Sequence, residues 1–179
     1  MKLIYPLLIK VLVLAILIAG CAAPVYKYSS IPVSQRLDSD NFQVKFTPEK
    51  QNTEFYSWFQ VDVTNLSNAS IEIDWNRTAY ILDGKNRGRF VWEGIEPDQV
   101  KNGTVPNTVI ASKQTFSIEI SPLAKIAMAH RSDYSAGKDK PGIYGGILPP
   151  GENGILIAFM VDGQVVFKKL TIEIKEEKQ

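Results

Sequence analysis

The sequence predicts an all-β fold, an antiparallel β-sandwich, and three observations carry that prediction. From Phe42 onward apolar residues recur at every second position, the alternating runs are short and separated by turn residues, and almost no segment repeats with the helical period. Such a pattern buries one face of each strand, and two sheets must then cover each other's apolar faces.

Each element follows from its own residues. Phe42, Val44 and Phe46 alternate with Gln43 and Lys45; Phe59, Val61 and Val63 alternate with Gln60, Asp62 and Thr64; Ile71, Ile73 and Trp75 alternate with Glu72, Asp74 and Asn76. The same period returns in Phe116, Ile118 and Ile120. Ile155 to Val161 is apolar on both faces and suits a central strand. Asp162 and Gly163 separate that run from Gln164 to Ile174, and an Asp-Gly pair between two strands is a strong hairpin signal because both turn positions need a positive φ. The apolar phase passes from Val165 and Phe167 to Leu170, Ile172 and Ile174, which predicts a bulge near Lys168 and Lys169. Ser121 as cap and Pro122 as first residue predict a short helix through Leu123, Ile126 and Met128. Glycines and prolines from Gly137 to Gly151 then argue against regular structure, so 121–153 reads as one long loop.

The segment ahead of these strands follows other rules. Lys2 and Lys10 border an apolar stretch whose unbroken part, Val11 to Ala19, has the length of a signal-peptide core; a bilayer span needs about 20 apolar residues. Ile18, Ala19, Gly20 and Cys21 resemble the lipobox of bacterial lipoprotein precursors. The resemblance implies that Ile18, Ala19 and Gly20 are read by the signal peptidase and that residues 1–20 are removed. It also implies that Cys21 becomes a new N-terminus carrying palmitate-type acyl chains. Each chain contributes about 0.8 kcal/mol per buried methylene, so three chains make a near-permanent anchor. Ala22, in place of the aspartate that the family uses for inner-membrane retention, implies the outer membrane. Residues 21–41, with Pro24, Ser29, Ser30, Pro32 and Ser34, read as the lipidated N-terminus and a flexible tether of about 25 Å end to end, of which Val25, Tyr26 and Tyr28 could dock on the domain. The domain proper is then 42–179.

Val61, Val63, Asn65, Ser67, Ile71 and Ile73 resemble the strand, polar turn and strand of small immunoglobulin-like modules of bacterial surface proteins. Leu148, Pro149, Pro150, Gly151, Glu152 and Asn153 are similar to the turn before their penultimate strand, and Trp75 matches the buried tryptophan of their third strand, although the paired core cysteines are absent. The resemblance implies an immunoglobulin-like sandwich serving binding, assembly or display.

Charge narrows the partners. The chain carries a net charge of +1, and removal of Lys2 and Lys10 brings it to −1, which gives no footprint for nucleic acid. Cys21 is the only cysteine, so no disulfide framework is available. His130, the only histidine, lies beside Ser132 and Asp133, but adjacent residues do not form a triad and no nucleophile-elbow motif accompanies them. Asp38 with Asp40, and Asp74 with Asn76, lack the glycine and distal glutamate of a calcium loop and read as turn carboxylates, so no metal or other cofactor is expected. Asn65, Asn68, Asn76 and Asn102 stand in N-x-S/T triplets and read as turn residues.

Three groups remain as candidate partner-binding surfaces. Lys85, Arg87 and Arg89 share a face if 85–92 is extended, and would meet phosphates, carboxylates or an acidic protein. Tyr134 and Tyr144 offer aromatic contact area in the long loop. Tyr56 and Trp58 are a third group, set against burial under a neighbouring loop. The sequence therefore leads to the expectation of a lipid-anchored cell-envelope protein acting as a non-catalytic binding or assembly module on a protein or envelope polymer. The alternatives are a hydrolase using His130, or a carrier of a small apolar ligand held between the sheets.

Overall fold

The chain is described by a computed structural model covering residues 24–129 and 142–179, and its two antiparallel sheets pack face to face as an all-β sandwich. One sheet runs in the order β1 (Tyr26–Ile31), β14 (Gln164–Lys178), β13 (Gly151–Val161), β5 (Ile71–Ile73), β9 (Thr108–Ile110). In it β6 (Ala79–Leu82) lies beside β13 after β5 and carries β7 (Lys85–Asn86) on its outer side. The facing sheet runs β2 (Gln35–Asp38), β3 (Phe42–Glu49), β4 (Trp58–Asn65), β10 (Thr115–Pro122), β8 (Phe90–Val91). A separate two-stranded arm pairs β11 (Ile126–Ala129) with β12 (Gly142–Gly145), and α1 (Pro97–Asn102) is a short helix between β8 and β9.

The period-two pattern becomes the core directly. Phe42, Val44 and Phe46 of β3 and Phe59, Val61 and Val63 of β4 point inward and are buried. They meet Ile155, Ile157, Phe159, Leu170, Ile172 and Ile174 of the other sheet in one cluster. Full burial of each such side chain contributes about 1.5–3 kcal/mol, against which the backbone ordering cost must be set. β13 is central, between β14 on one side and β5 and β6 on the other, as its two apolar faces require. Asp162 and Gly163 have φ of 49° and 75°, the left-handed pair a type I′ turn needs. Asp83 and Gly84, with φ of 50° and 72°, close a second such hairpin between β6 and β7.

Four expectations are corrected. Residues 21–41 are not a tether throughout: β1 pairs with β14 over its whole length, Tyr26 opposite Lys178 and Ile31 opposite Glu173, and β2 pairs with β3. No bulge interrupts β14, because the register with β13 is constant from Gly151 opposite Ile174 to Val161 opposite Gln164. Val165 and Phe167 lie on the outer face, Phe167 49% exposed, so the apolar phase never shifts. The helix expected after Ser121 is one 3₁₀ turn, Leu123–Lys125, since Ser121 and Pro122 belong to β10 and Ile126 begins β11. And 85–92 is not one extended run: the chain stays hydrogen-bonded to Tyr80 of β6 through Gly88, where φ is 108°, and enters the second sheet at Phe90.

Two buried asparagines hold the ends of the sandwich. Asn65, fully buried, donates to the carbonyls of Ala69, Ile110 and Ala111 and accepts from the Ser67 backbone and hydroxyl, tying the β4–β5 loop to the turn after β9. Asn153, also fully buried, donates to the carbonyls of Pro149 and Gly151 and accepts the Tyr80 hydroxyl at 2.5 Å. Burial, with the nearby Asp83 charge as a smaller contribution, holds the Tyr80 phenol well above its ordinary range, so it stays a donor to Asn153.

Candidate functional site

Between β6, the turn into β8 and the end of α1 lies an open cleft of about 460 Å³ lined by Asn76, Arg77, Asn86, Arg89, Lys101 and Leu123, among others. Its walls follow from local sequence chemistry. Asp74 accepts the Asn76 and Arg77 backbone N–H groups on one carboxylate oxygen and pairs with the Arg77 guanidinium at 3.4 Å, forming the turn between β5 and β6. Asn76 bonds Val105 in both directions, its Nδ2 to the carbonyl at 2.7 Å and its Oδ1 from the N–H at 3.1 Å, which fixes the chain beyond the helix. α1 starts at a capping box of Glu96 and Gln99 with Pro97 at its first position, and ends at Gly103 in the left-handed conformation.

Arg89 reaches across the cleft to the end of that helix. Its guanidinium donates to the carbonyls of Val100 at 2.6 Å, Lys101 at 3.2 Å and Asn76 at 3.2 Å. A cation at a helix C-terminus satisfies orphan carbonyls and complements the helix dipole, so this charge is committed within the fold. The other cations of the cleft reach outward: Arg77, 57% exposed, pairs with the mostly covered Asp74, and Lys101, 58% exposed, pairs with the exposed Asp98 at the surface. Surface pairs of this kind contribute about 0–1 kcal/mol and exchange readily for an anionic ligand. Arg77 and Lys101 do not stand out in the sequence, because the cleft is assembled from four separate segments.

The chain matches no known family model and no curated protein. The remaining candidate residues are dispersed. Lys85 and Arg87 are exposed, Lys85 beside the Asp83–Gly84 turn and Arg87 with its backbone N–H on the Tyr80 carbonyl. Tyr144 lies on the arm opposite Ala127 and is 45% exposed. Trp58 is buried and Tyr56 half-buried, so this pair is core, not surface. Ile18, Ala19, Gly20, Cys21, His130 and Tyr134 lie outside the described residues. Among the described residues no helix is long and apolar enough to cross a membrane, and no three His, Cys, Asp or Glu side chains gather as a metal-binding group.

The two roles of the arginines separate by experiment. Arg89→Met, which keeps the aliphatic stem, is expected to lower the unfolding free energy in urea by about 1–2 kcal/mol, and Arg87→Met to change it by less than about 0.5 kcal/mol. Equal effects of the two substitutions would contradict the capping role.

Proposed function

We propose that this chain is a lipid-anchored cell-envelope lipoprotein, held at the outer membrane through Cys21, whose sandwich acts as a non-catalytic binding or assembly module. The observation that carries the reading is the adjacency of two signals: Ile18-Ala19-Gly20-Cys21 behind an apolar core too short to span, and backbone pairing that begins at Val25, whose carbonyl accepts the Gln179 N–H at 2.9 Å. A signal segment directly ahead of a self-contained β-domain is the arrangement expected of a membrane-tethered module.

The strand order also supports an immunoglobulin-like reading. β3, β4, β10 and β8 correspond to the A, B, E and D strands of such domains, and β5/β6, β13 and β14 to C, F and G, with Trp75 buried just after β5. The space between the sheets is occupied by aromatic side chains, with Phe42 and Phe159 centroids 4.2 Å apart and Phe46 and Phe59 4.5 Å apart. That filling favours binding at the surface over carriage of a ligand inside. The cleft of Arg77 and Lys101 is the surface suited to an acidic group of a protein or envelope polymer.

The reading is tested at Cys21. A Cys21→Ser protein is expected to accumulate as an unprocessed precursor that keeps the mass of residues 1–20 and takes up no labelled palmitate. Normal cleavage and palmitate uptake in that variant would refute the anchor.

A further inference from the structure

We propose that the sandwich stands end-on at its membrane, and that the end resting on the lipid headgroups is the one formed by the start of β1, the end of β14, the 50–57 loop and the root of the β11–β12 arm. The inference rests on lipidation of Cys21 and adds the orientation that the fold then imposes.

Chain length decides it. Pairing fixes the chain from Val25 onward, so only Ala22, Ala23 and Pro24 separate Cys21 from the folded domain. Four Cα steps reach at most about 14 Å. The hydrocarbon core is about 30 Å thick and the whole bilayer about 40–45 Å, so each headgroup layer is roughly 5–8 Å deep. With acyl chains of Cys21 in the hydrocarbon, Val25, Tyr26 and the paired Lys178 lie within a few ångströms of the headgroups. A tether of 20 residues would have allowed any orientation; three residues do not.

Hydrogen bonds identify what shares that end. Lys50 donates to the Tyr28 carbonyl at 2.9 Å, and Tyr56 reaches the Ser30 hydroxyl at 3.3 Å, which sets the β3–β4 loop against β1. Leu148 donates its N–H to the Tyr56 carbonyl at 2.8 Å, while a Cβ on Gly145 would stand 2.5 Å from the Ser57 carbonyl and one on Gly146 would clash with that of Lys125. The arm is therefore rooted here, with Tyr144 and Ile147 exposed beside it. Exposed apolar side chains also occur at the opposite end, at Leu66 and Val109, so apolarity alone would not choose between the ends. From Lys178 back to Gln164 the strand spans about 45 Å, which puts the Asp162–Gly163 hairpin, and with it the β4–β5 loop, far from the bilayer. The root of the β11–β12 arm, with exposed Tyr144 and Ile147, then lies toward the lipid, and the hairpin end is the one offered to soluble partners.

The experiment uses the full acylated chain, whose only cysteine is blocked by lipid, carrying one added cysteine at exposed Glu54→Cys or Gln164→Cys and reconstituted in phosphatidylethanolamine–phosphatidylglycerol vesicles. A nitroxide at each site is read for relaxation by nickel-chelating headgroups, and the same samples are checked by mass for acylation of Cys21. The expected result is an effect about tenfold or more stronger at position 54, because dipolar relaxation falls steeply over the length of β14. Acylated protein with equal effects, or a stronger one at position 164, overturns the orientation and leaves the anchor standing. Protein without acyl chains overturns both.

Discussion

An Asn153→Asp protein is expected to be about 3–5 kcal/mol less stable than the wild type at neutral pH and to recover part of the loss in acid. Asn153 is fully buried, and its amide nitrogen points at the carbonyls of Pro149 and Gly151, 2.8 and 3.0 Å away. An aspartate there turns two donated hydrogen bonds into an oxygen facing two oxygens, and adds a charge at a fully buried position. Tyr80 still donates to the other oxygen, but one bond does not offset desolvation of a carboxylate. The buried carboxyl is therefore held above the ordinary aspartate value of about 3.9, the value it keeps in the unfolded chain. As pH rises through that value the unfolded state loses its proton first, so stability present in acid is lost until the folded-state value is passed. Urea unfolding at about pH 4 and about pH 8, each against the wild type, reads this directly. Asn153→Leu is expected to be destabilised without the added pH dependence, and an Asp penalty that does not grow with pH would contradict the account.

What the sequence made legible was whatever local rules decide. The Asp162–Gly163 hairpin and the central position of β13 follow from residues within a few positions of each other, and both are observed. α1 was legible in principle: Glu96, Pro97, Gln99 and Gly103 supply a capping box, a first-position proline and a left-handed stop, but six residues carry too little apolar period to stand out. β1 was not legible, because its partner is about 150 residues away and its side chains are mostly exposed; backbone pairing holds it, with the Tyr28 hydroxyl on the Glu176 carboxylate as a surface link that raises the phenol above its usual range. Of the expected basic face, Arg89 is drawn to the end of α1, a partner that no spacing within 85–92 reveals. The cleft shows the same limit of local reading: Arg77 lies in the β5–β6 turn, Arg89 in the link into β8 and Lys101 in α1, and the packing of α1 on β8 brings them to one cleft. The lipobox lies at the other extreme, since its residues are read by enzymes as an extended segment and need no fold.

Phe59→Ala is expected to cost about 3–5 kcal/mol and to lower the midpoint of thermal unfolding by about 10–15 °C. Phe59 is fully buried on β4 and is one of the rings through which the two sheets meet, Phe42 against Phe159 being another. It stacks on Phe46 of β3 with centroids 4.5 Å apart, and meets Tyr80 of β6 at 6.4 Å and Phe90 of β8, edge-on, at 6.3 Å. Tyr80 and Phe90 also pack on each other at 5.8 Å, so truncation leaves a cavity walled by four strands whose backbones are fixed by ladder hydrogen bonds. Such walls collapse poorly, which puts the loss toward the upper part of the large-to-small range. Phe167→Ala is the control of equal chemistry: on the outer face of β14 and half exposed, it is expected to change stability by less than about 1 kcal/mol. Phe59→Leu, which keeps most of the volume but none of the ring stacking, should fall between, at about 1–2 kcal/mol. Equal losses for Phe59→Ala and Phe59→Leu would mean that ring geometry, not filled volume, holds the sheets together. A loss for Phe59→Ala no larger than for Phe167→Ala would mean that Phe59 does not join them.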